Sequence, residues 1–446
     1  MPVGVAFPRS RVPAIPSIGG PSMNQGMTRR EFVKKGLTMV AVGLTAPSFI
    51  TRTALAMNNP WDVTQLTSRP GVSDDRVLVV VQLGGGNDGL NTVIPYSQDA
   101  YYRARPTLAV PQTGVLRIND EVGLHPSLAK VMDLHEQGAM AVIQGVGYPN
   151  PSRSHFKSME IWQTADPDGR VVRYGWIGRY FDSKCPVCEQ PTVGVNVGPA
   201  MPLAMQASSG MGVSLEDPEA FQWMPALNGI GAKEEQELFR LLNAPAVRAG
   251  GDGVGTIDFL RHTAMNAYVS SAQVREAARG YRGGVEYPNS QFAASLRLIA
   301  QMIAGKLPTK VYYAHMTGFD THASQHGAHE NLLAQFAAGV AAFYKDLEAQ
   351  GNAERVMVLA FSEFGRRVAE NGSRGTDHGT AAPMFVFGKG LKGGLYGAQP
   401  SLADLVDGDL KHVIDFRSVY ATVLDRWLGA DPVEILGSSF DRVGFI

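Results

Sequence analysis

The chain is organised around residues 356–379, which read VMVLAFSEFGRRVAENGSRGTDHG. The apolar start of this stretch is followed at once by polar residues, which predicts a short strand buried on both faces. Ligands of open α/β sheets bind beyond the carboxyl ends of the strands. We therefore expect Glu363 and Arg366 at such an edge, and the following loop returns Asp377 and His378 to it. Together these groups could bind a metal and an anion. The alternative is a surface ion pair of Glu363 with Arg366, with Asp377 capping a turn.

Composition limits the classes of protein to consider. The chain has 446 residues, of which 18% are charged and 50 are glycine. This length accommodates one large α/β domain or two ordinary ones. Residues 1–56 carry seven Lys or Arg and one Glu, which leaves 33 basic and 40 acidic residues in the rest of the chain. That balance provides no basic surface, so nucleic acid is not an expected partner.

The first 56 residues are organised like an export signal. Residues 28–35, TRREFVKK, form a twin-arginine motif, and Ala54-Leu55-Ala56 is a small-x-small cleavage site. The mildly apolar stretch between them is too short to span a membrane. We predict a twin-arginine signal peptide over residues 1–56, export by the twin-arginine translocase to the periplasm or beyond the cell, and no membrane span after cleavage.

The two cysteines, Cys185 and Cys188, are spaced C-P-V-C in surroundings typical of a loop. In an oxidising compartment they could form a small disulfide loop. A redox motif would instead lie at a helix start after a strand, and two cysteines are too few for a four-cysteine zinc site. The sequence favours a structural or incidental role.

A glycine-rich turn follows the first predicted strand, residues 76–83. The turn contains G-x-G-x-x-G at 84–89, so a dinucleotide site must be considered. Pro95 lies where the following helix should run, and no strand ends in an acidic residue at the expected distance. We therefore favour a tight turn that presents Asp88 as a metal ligand.

A second predicted strand, residues 139–146, leads into a turn with two serines. Ser152 and Ser154 precede a predicted helix that ends near Gln163. A serine at a helix start is exposed, and the helix N–H groups can hold an oxyanion or phosphate, which suits a nucleophile. The same position is also that of an ordinary N-cap.

A third strand end carries acidic and histidine residues. The predicted strand over residues 310–316 is followed by Asp320 and His322, whose spacing suits two metal ligands from one loop. His326 and His329 fall near the start of the next predicted helix. Residues 166–288 are less regular, and we predict an inserted cap there with no chemistry of its own.

Three motifs resemble the DUF1501 family of exported proteins. They are GGGNDGLNT at 84–92, GFDTHASQ at 318–325, and SEFGR with GTDHG between 362 and 379. That family is related in fold to the alkaline phosphatase and sulfatase superfamily. The resemblance implies a three-layer α/β/α sandwich with a mostly parallel central sheet.

The resemblance also implies roles for particular residues. The segment PSRSH at 151–155 is similar to the nucleophile segment of related phosphodiesterases, which favours Ser154 over Ser152. Asp320 would bind the first metal, Glu363 would stand where the superfamily has an Asp-His pair, and His378 would be its last histidine. The spacing of His322 and the Ser-Glu in place of Asp-His depart from the superfamily pattern, which implies a second metal site that is weak or absent.

These observations predict an exported metal-dependent hydrolase of phosphate or sulfate esters. Ser154 is the predicted nucleophile, and Arg153 or Arg366 is expected to hold the anionic group. The cofactor is a divalent ion, with zinc favoured over manganese or calcium. The predicted metal ligands are Asp88, Asp320, His322, Glu363, Asp377 and His378.

Two other functions stay open on the sequence. One is a non-catalytic binding or assembly protein on a degenerate phosphatase-like scaffold, with a secreted protein or a surface polysaccharide as partner. The other, ranked last, is a nicotinamide-dependent oxidoreductase that uses the glycine turn at 84–89. Metal content and esterase assays separate the first from a hydrolase, and NAD binding tests the second.

Overall fold

A computed structural model describes residues 72–169, 173–184, 191–208, 212–221, 232–243 and 256–446. The predicted signal segment and both cysteines lie outside these ranges. Across the described ranges, no helix combines the length and apolar character needed to cross a membrane.

The described strands are short, and several are fully buried. In chain order they are β1 Val77–Gly84, β2 Val93–Ile94, β3 Leu116–Arg117, β4 Gly123–Leu124, β5 Met140–Gly147, β6 Gly194–Val197, β7 Val213–Leu215, β8 Val311–Thr317, β9 Val356–Phe361, β10 Ala382–Phe387, β11 Gly394–Tyr396, β12 Leu405–Val406, β13 Asp409–Leu410 and β14 Ile414–Asp415. The strands predicted to begin near residues 76, 139, 310 and 356 correspond to β1, β5, β8 and β9, and the apolar run at 383–388 corresponds to β10.

The helices differ widely in length. In chain order they are α1 Gly89–Thr92, α2 Asp99–Ala104, α3 Met132–Glu136, α4 His155–Thr164, α5 Trp176–Lys184, α6 Ala232–Asn243, α7 Thr256–Gly280, α8 Gln291–Ala304, α9 Gln325–Ala349, α10 Phe416–Thr422 and α11 Pro432–Leu436. His326 and His329 fall at the start of α9, as the sequence predicts.

A mostly parallel sheet forms the centre of the described chain. Its strands lie in the order β11-β5-β10-β9-β1-β8-β6-β7, and β14 also pairs with β5. Only β10 runs antiparallel to its neighbours β5 and β9. The carboxyl ends of β1, β5, β8 and β9 therefore meet at one edge of the sheet.

Alternation along β1 shows how the sheet is buried. Val77, Val79 and Val81 pack in one hydrophobic core with residues of α8 and α9. Leu78 and Val80 pack in the opposite core with residues of α4, α5 and α10. Burying each of these side chains stabilises the fold by roughly 1.5–3 kcal/mol. The sheet is covered on both faces, which confirms the predicted three-layer α/β/α sandwich.

The region predicted as a cap, residues 166–288, contributes to this sandwich. Strands β6 and β7 extend the central sheet beside β8. Helix α5 adds buried side chains, among them Trp176, to the second core. The first half of the region is therefore part of the core, and the cap stays a prediction for the residues that follow β7.

Candidate metal centre

Three loops meet at the carboxyl edge of the sheet, and a glycine turn lets them approach. Gly85, directly after β1, has a φ of +118°, which favours glycine. A Cβ atom there would collide with the backbone nitrogen of Asp320 after β8. The N–H of Gly85 donates to Glu363 Oε1 after β9 at 2.8 Å. The glycine turn at 84–89 thus allows close packing of the three strand ends.

Nε2 atoms of three histidines approach the carboxylate of Asp320. His322 Nε2 and His378 Nε2 lie 3.0 and 3.1 Å from Asp320 Oδ1, and 2.9 Å from each other. His155 Nε2 lies 3.5 Å from Asp320 Oδ2. The ligating atoms of His155, Asp320 and His378 all fall within 4.8 Å of one another. These side chains are partly exposed, so the cluster opens to solvent.

Each histidine has an oxygen acceptor on its other ring nitrogen. His155 Nδ1 lies 3.0 Å from Glu363 Oε1, and His322 Nδ1 lies 3.3 Å from Asp377 Oδ1. His378 Nδ1 lies 2.8 Å from the backbone oxygen of Arg153. Carboxylate and carbonyl oxygens only accept, so each Nδ1 carries the proton and each Nε2 of a neutral ring presents a lone pair. Partners of this kind orient the histidine ligands of metal sites.

The cluster fits a divalent metal. Zinc binds histidine nitrogen and carboxylate oxygen at about 2.0–2.2 Å, so its tetrahedral ligand atoms lie about 3.3 Å apart. The separations between these Nε2 atoms and the oxygens of Asp320 are 3.0 to 3.5 Å. Lone pairs brought this close together repel unless a cation or shared protons lie between them. Three imidazoles and one carboxylate form a donor set that suits zinc.

Arg366 is a buried clamp behind Asp320. Its Nη2 donates to Asp320 Oδ1 at 2.7 Å, and its Nε donates to the oxygen of Gly86 at 2.7 Å. Its Nη1 donates to the oxygen of Thr376 at 2.8 Å. Partial burial alone would raise the pKa of Asp320, but the hydrogen bond and the charge of Arg366 oppose it and, together with the neighbouring histidines, lower the pKa to about 2. Arg366 joins all three loops and holds Asp320 ionised.

Ser154 lies beside the cluster at the start of α4. It occupies the N-cap position, its side chain is exposed, and its hydroxyl does not cap the helix. The next residue, His155, belongs to the cluster, and the backbone oxygen of the preceding Arg153 accepts from His378. By contrast, Ser152 Oγ accepts from the N–H of Ser154 at 3.2 Å. Among the described residues, the Ser154 hydroxyl has no hydrogen-bond partner, whereas Ser152 Oγ has one.

The Arg153 side chain contacts Asp409 and not the clustered histidines. Its Nε donates to Asp409 Oδ2 at 2.7 Å, and Asp409 is buried. The sequence predicts that Arg153 or Arg366 holds an anionic substrate group. In this structure the polar atoms of Arg366 are taken by backbone oxygens and Asp320, and Arg153 is engaged by Asp409.

Asp88 has partners that differ from the predicted ones. Its carboxylate is fully buried, with Oδ2 2.5 Å from Nη1 of Arg105, which is equally buried. Gln325 Nε2 also donates to Oδ2, and Oδ1 accepts from the N–H of Asn91. Burial alone would raise the pKa of Asp88, but the charge and hydrogen bond of Arg105 outweigh it and lower the pKa. In this structure Asp88 therefore forms a buried ion pair and not a bond within the histidine cluster.

The structure thus brings five predicted ligands together and adds one. Asp320, His322 and His378 point their ligating atoms at one place, whereas Glu363 and Asp377 contact the histidines from behind. The added residue is His155, which is not among the predicted ligands. Its signal was present, because it directly follows the predicted nucleophile at the same strand exit.

A buried histidine outside the cluster, His329, predicts a pH dependence of stability. His329 Nε2 lies 2.9 Å from Asn87 Oδ1, and burial lowers its pKa to about 4 from an ordinary 6.5. The unfolded chain therefore binds a proton between pH 6.5 and 4 that the folded chain excludes. This single group should lower the free energy of unfolding by about 3 kcal/mol as pH falls through that window.

The His329→Gln variant tests this expectation. Glutamine keeps a donor for Asn87 but does not titrate. Urea unfolding from pH 7.5 to 4 should show a shallower loss of stability in the variant than in the wild type. Equal slopes for the two proteins would contradict the assignment.

Comparisons with known proteins give one family and several weak structural likenesses. Residues 254–442 match the model of DUF1501, a family described as protein of unknown function. No curated protein matches the chain.

The solved structures include three that illustrate the range. The C-terminal periplasmic domain of EcEptC from Escherichia coli, in complex with Zn, is 10% identical with a TM-score of 0.36, over 73% of this chain and 77% of that one. A protein in the alkaline phosphatase superfamily from Vibrio parahaemolyticus is 9% identical with a TM-score of 0.35, over 88% and 78%. The PsFucS1 sulfatase from Pseudoalteromonas sp. is 10% identical with a TM-score of 0.32, over 81% and 68%.

Likenesses of this size carry no argument about the chemistry of this chain. The family match is independent of them, and it includes the motifs that hold Asp320, His322 and His378. The glycine turn at 84–92 precedes the matched residues. The match over residues 254–442 confirms the resemblance to the DUF1501 family that the sequence motifs indicate.

Proposed function

We propose that this protein is an exported metal-dependent hydrolase of phosphate or sulfate esters. One observation carries the proposal. Three histidines with protonated Nδ1 atoms direct Nε2 lone pairs toward one carboxylate, beside a serine with a free hydroxyl at a helix start. Packing alone does not favour four acceptors in such proximity.

The metal ligands in this proposal are His155, Asp320, His322 and His378. A bound divalent ion, with zinc the best match to these donors, would lower the pKa of the Ser154 hydroxyl and polarise an ester oxygen. Glu363 and Asp377, first predicted as ligands, hold the rings of His155 and His322. Asp88 is left out of the ligand set because Arg105 and Gln325 occupy its carboxylate.

Ser154 is the nucleophile in this proposal. Its attack forms a bond from Oγ to phosphorus or sulfur and breaks the ester bond, so that the alcohol departs, and water then releases the acid. The N–H groups in the first turn of α4 are not capped by the Ser154 side chain. They are therefore free to hold the oxygens of the transferred group. Arg366 acts as a positioning residue through Asp320.

Metal content is the first test. Purified wild-type protein should contain about one equivalent of zinc or another divalent metal by plasma mass spectrometry, and Asp320→Ala/His378→Ala should contain none. Glu363→Gln should bind metal roughly 10–100-fold more weakly, because it removes the acceptor that orients His155. His326→Ala is the matched control, since its exposed ring lies outside the cluster.

Metal in the double variant at the wild-type level would refute the ligand assignment. A wild-type protein without metal, and without turnover of phosphate or sulfate esters after metal addition, would instead favour the non-catalytic binding protein. The buried pairing of Asp88 with Arg105 is compatible with that alternative, because it removes one predicted ligand.

A further inference from the structure

A cavity lies next to the proposed nucleophile. It has a volume of about 700 Å³ and is bounded by residues 147–153, by the hairpin of β12 and β13, and by the start of β10. Pockets that bind small organic ligands usually measure about 300–1,000 Å³. Arg153, on its wall, immediately precedes Ser154, and Thr380 follows two residues after His378. Two short segments of the chain therefore connect the cavity wall to the metal centre.

The guanidinium of Arg153, the residue before Ser154, lies on the cavity wall and is held by an ion pair. Arg153 is 38% exposed, and its Nε and Nη2 atoms both contact Oδ2 of Asp409, which is 1% exposed. These contacts hold the guanidinium while its Nη1 atom forms no hydrogen bond among the described residues. Arg153 is thus prepared to donate to a ligand oxygen in the cavity.

The other walls combine free polar groups with apolar surface. The side chains of Asn150, Asp407 and His412 line the cavity and form no hydrogen bond or ion pair with the described residues. Pro151 and the exposed Val406 provide apolar contact. Donors and acceptors are therefore both available to a ligand.

The charges of the lining balance. The lining carries Arg153 and Lys411 together with Asp407 and Asp409. Arg153 pairs with Asp409, and Lys411 pairs with Asp404 just outside the lining. This balance favours neither a second anionic group nor a cationic one on the ligand. Alternating donors and acceptors on a partly apolar wall suit a neutral group with many hydroxyls and exposed C–H surfaces.

We propose that this cavity binds the alcohol part of the ester, and that this part is a neutral, hydroxyl-rich group such as a sugar. The proposal rests on the hydrolase function above, and it gives Arg153 the role of contacting the alcohol part. Asp409 is a positioning residue that acts through Arg153.

Filling the cavity from its exposed rim tests the proposal. Val406→Trp adds bulk at a cavity residue that is 55% exposed, and Val413→Trp is the matched control at a valine that is 47% exposed and does not line the cavity. Initial rates are measured with ethyl phosphate and glucose 6-phosphate, and with ethyl sulfate and glucose 6-sulfate. Thermal melting of both variants verifies that they are folded.

The expected result is a selective change in KM. The wild type should have a KM for the sugar ester about tenfold below that for the ethyl ester, and Val406→Trp should remove this difference with little change in kcat. Val406→Trp should raise the KM for the ethyl ester much less than the KM for the sugar ester, and Val413→Trp should change the kinetics of neither substrate. An equal effect of Val406→Trp on both esters, or no effect on either, would overturn the subsite.

Failure of the hydrolase function gives a different result. If the wild type hydrolyses none of these esters, titration calorimetry with glucose 6-phosphate decides the subsite separately. Binding weakened by Val406→Trp but not by Val413→Trp supports the cavity. The absence of binding, or binding that ignores both substitutions, refutes it.

Discussion

Replacing Ser154 with alanine should lower kcat/KM for the best phosphate or sulfate ester by roughly 10⁴-fold or more, since loss of a nucleophile removes the covalent route altogether. The folded state should be unaffected, because the Ser154 side chain is exposed and does not cap α4. Metal content should also stay at the wild-type level, since Ser154 is not among the proposed ligands. The measurement is steady-state kinetics together with plasma mass spectrometry on the same sample.

Ser152→Ala is the matched control for this variant. Its hydroxyl accepts only the N–H of Ser154 at 3.2 Å, so its loss should reduce turnover less than about tenfold. A Ser154→Ala protein with wild-type turnover would eliminate Ser154 as nucleophile. Loss of activity in Ser152→Ala with full activity in Ser154→Ala would transfer the role to Ser152.

Replacing Arg105 with methionine should destabilise the protein by about 3–5 kcal/mol, because it leaves the buried carboxylate of Asp88 without its charge partner. Both side chains of this pair are 0% exposed. Arg105 also donates to the backbone oxygens of Val368 and Arg367, which strengthens the expectation. Urea unfolding at pH 7 gives the change in free energy of unfolding.

A second substitution separates the charge from the packing. Asp88→Asn/Arg105→Met should be more stable than Arg105→Met alone, since asparagine removes the uncompensated charge and keeps one of the two acceptor oxygens. Arg279→Met, which breaks the exposed pair with Glu219, should shift the unfolding midpoint far less. Equal effects of Arg105→Met and Arg279→Met would show that burial of the Asp88 pair has no special consequence.

The main strands of the central sheet are predictable from the sequence alone. Apolar runs bounded by polar residues predict β1, β5, β8, β9 and β10 because a strand buried on both faces has no polar side chain to present. The amphipathic segment over 289–304 predicts α8, which begins at Gln291. Parallel strands have their carboxyl ends at the same edge of a sheet. The sequence therefore predicts that Asp320, His322 and His378, which come after two such strands, lie close together.

The sequence was less informative about the region from 166 to 288. Strands β6 and β7 have four and three residues, too few to show a period. β6 joins the sheet at the edge of β8, and β7 joins it at the edge of β6. Short strands gain their stability from the neighbour they pair with. No pattern within such a segment indicates whether that neighbour is present.

The tertiary structure was needed to show which polar side chains are available to a ligand and which are hydrogen-bonded within the protein. Asp88 stands at a strand end like Asp320, but Arg105, 17 residues further along the chain, neutralises it. In the sequence, Arg366 and Arg153 both look suited to bind an anion. In the folded protein, backbone oxygens accept from Arg366, and Asp409, 256 residues away along the chain, accepts from Arg153. A sequence places a functional group at an edge of the sheet. Packing brings its hydrogen-bond partner from a distant part of the chain. The residues near the group in sequence therefore do not indicate which partner it will have.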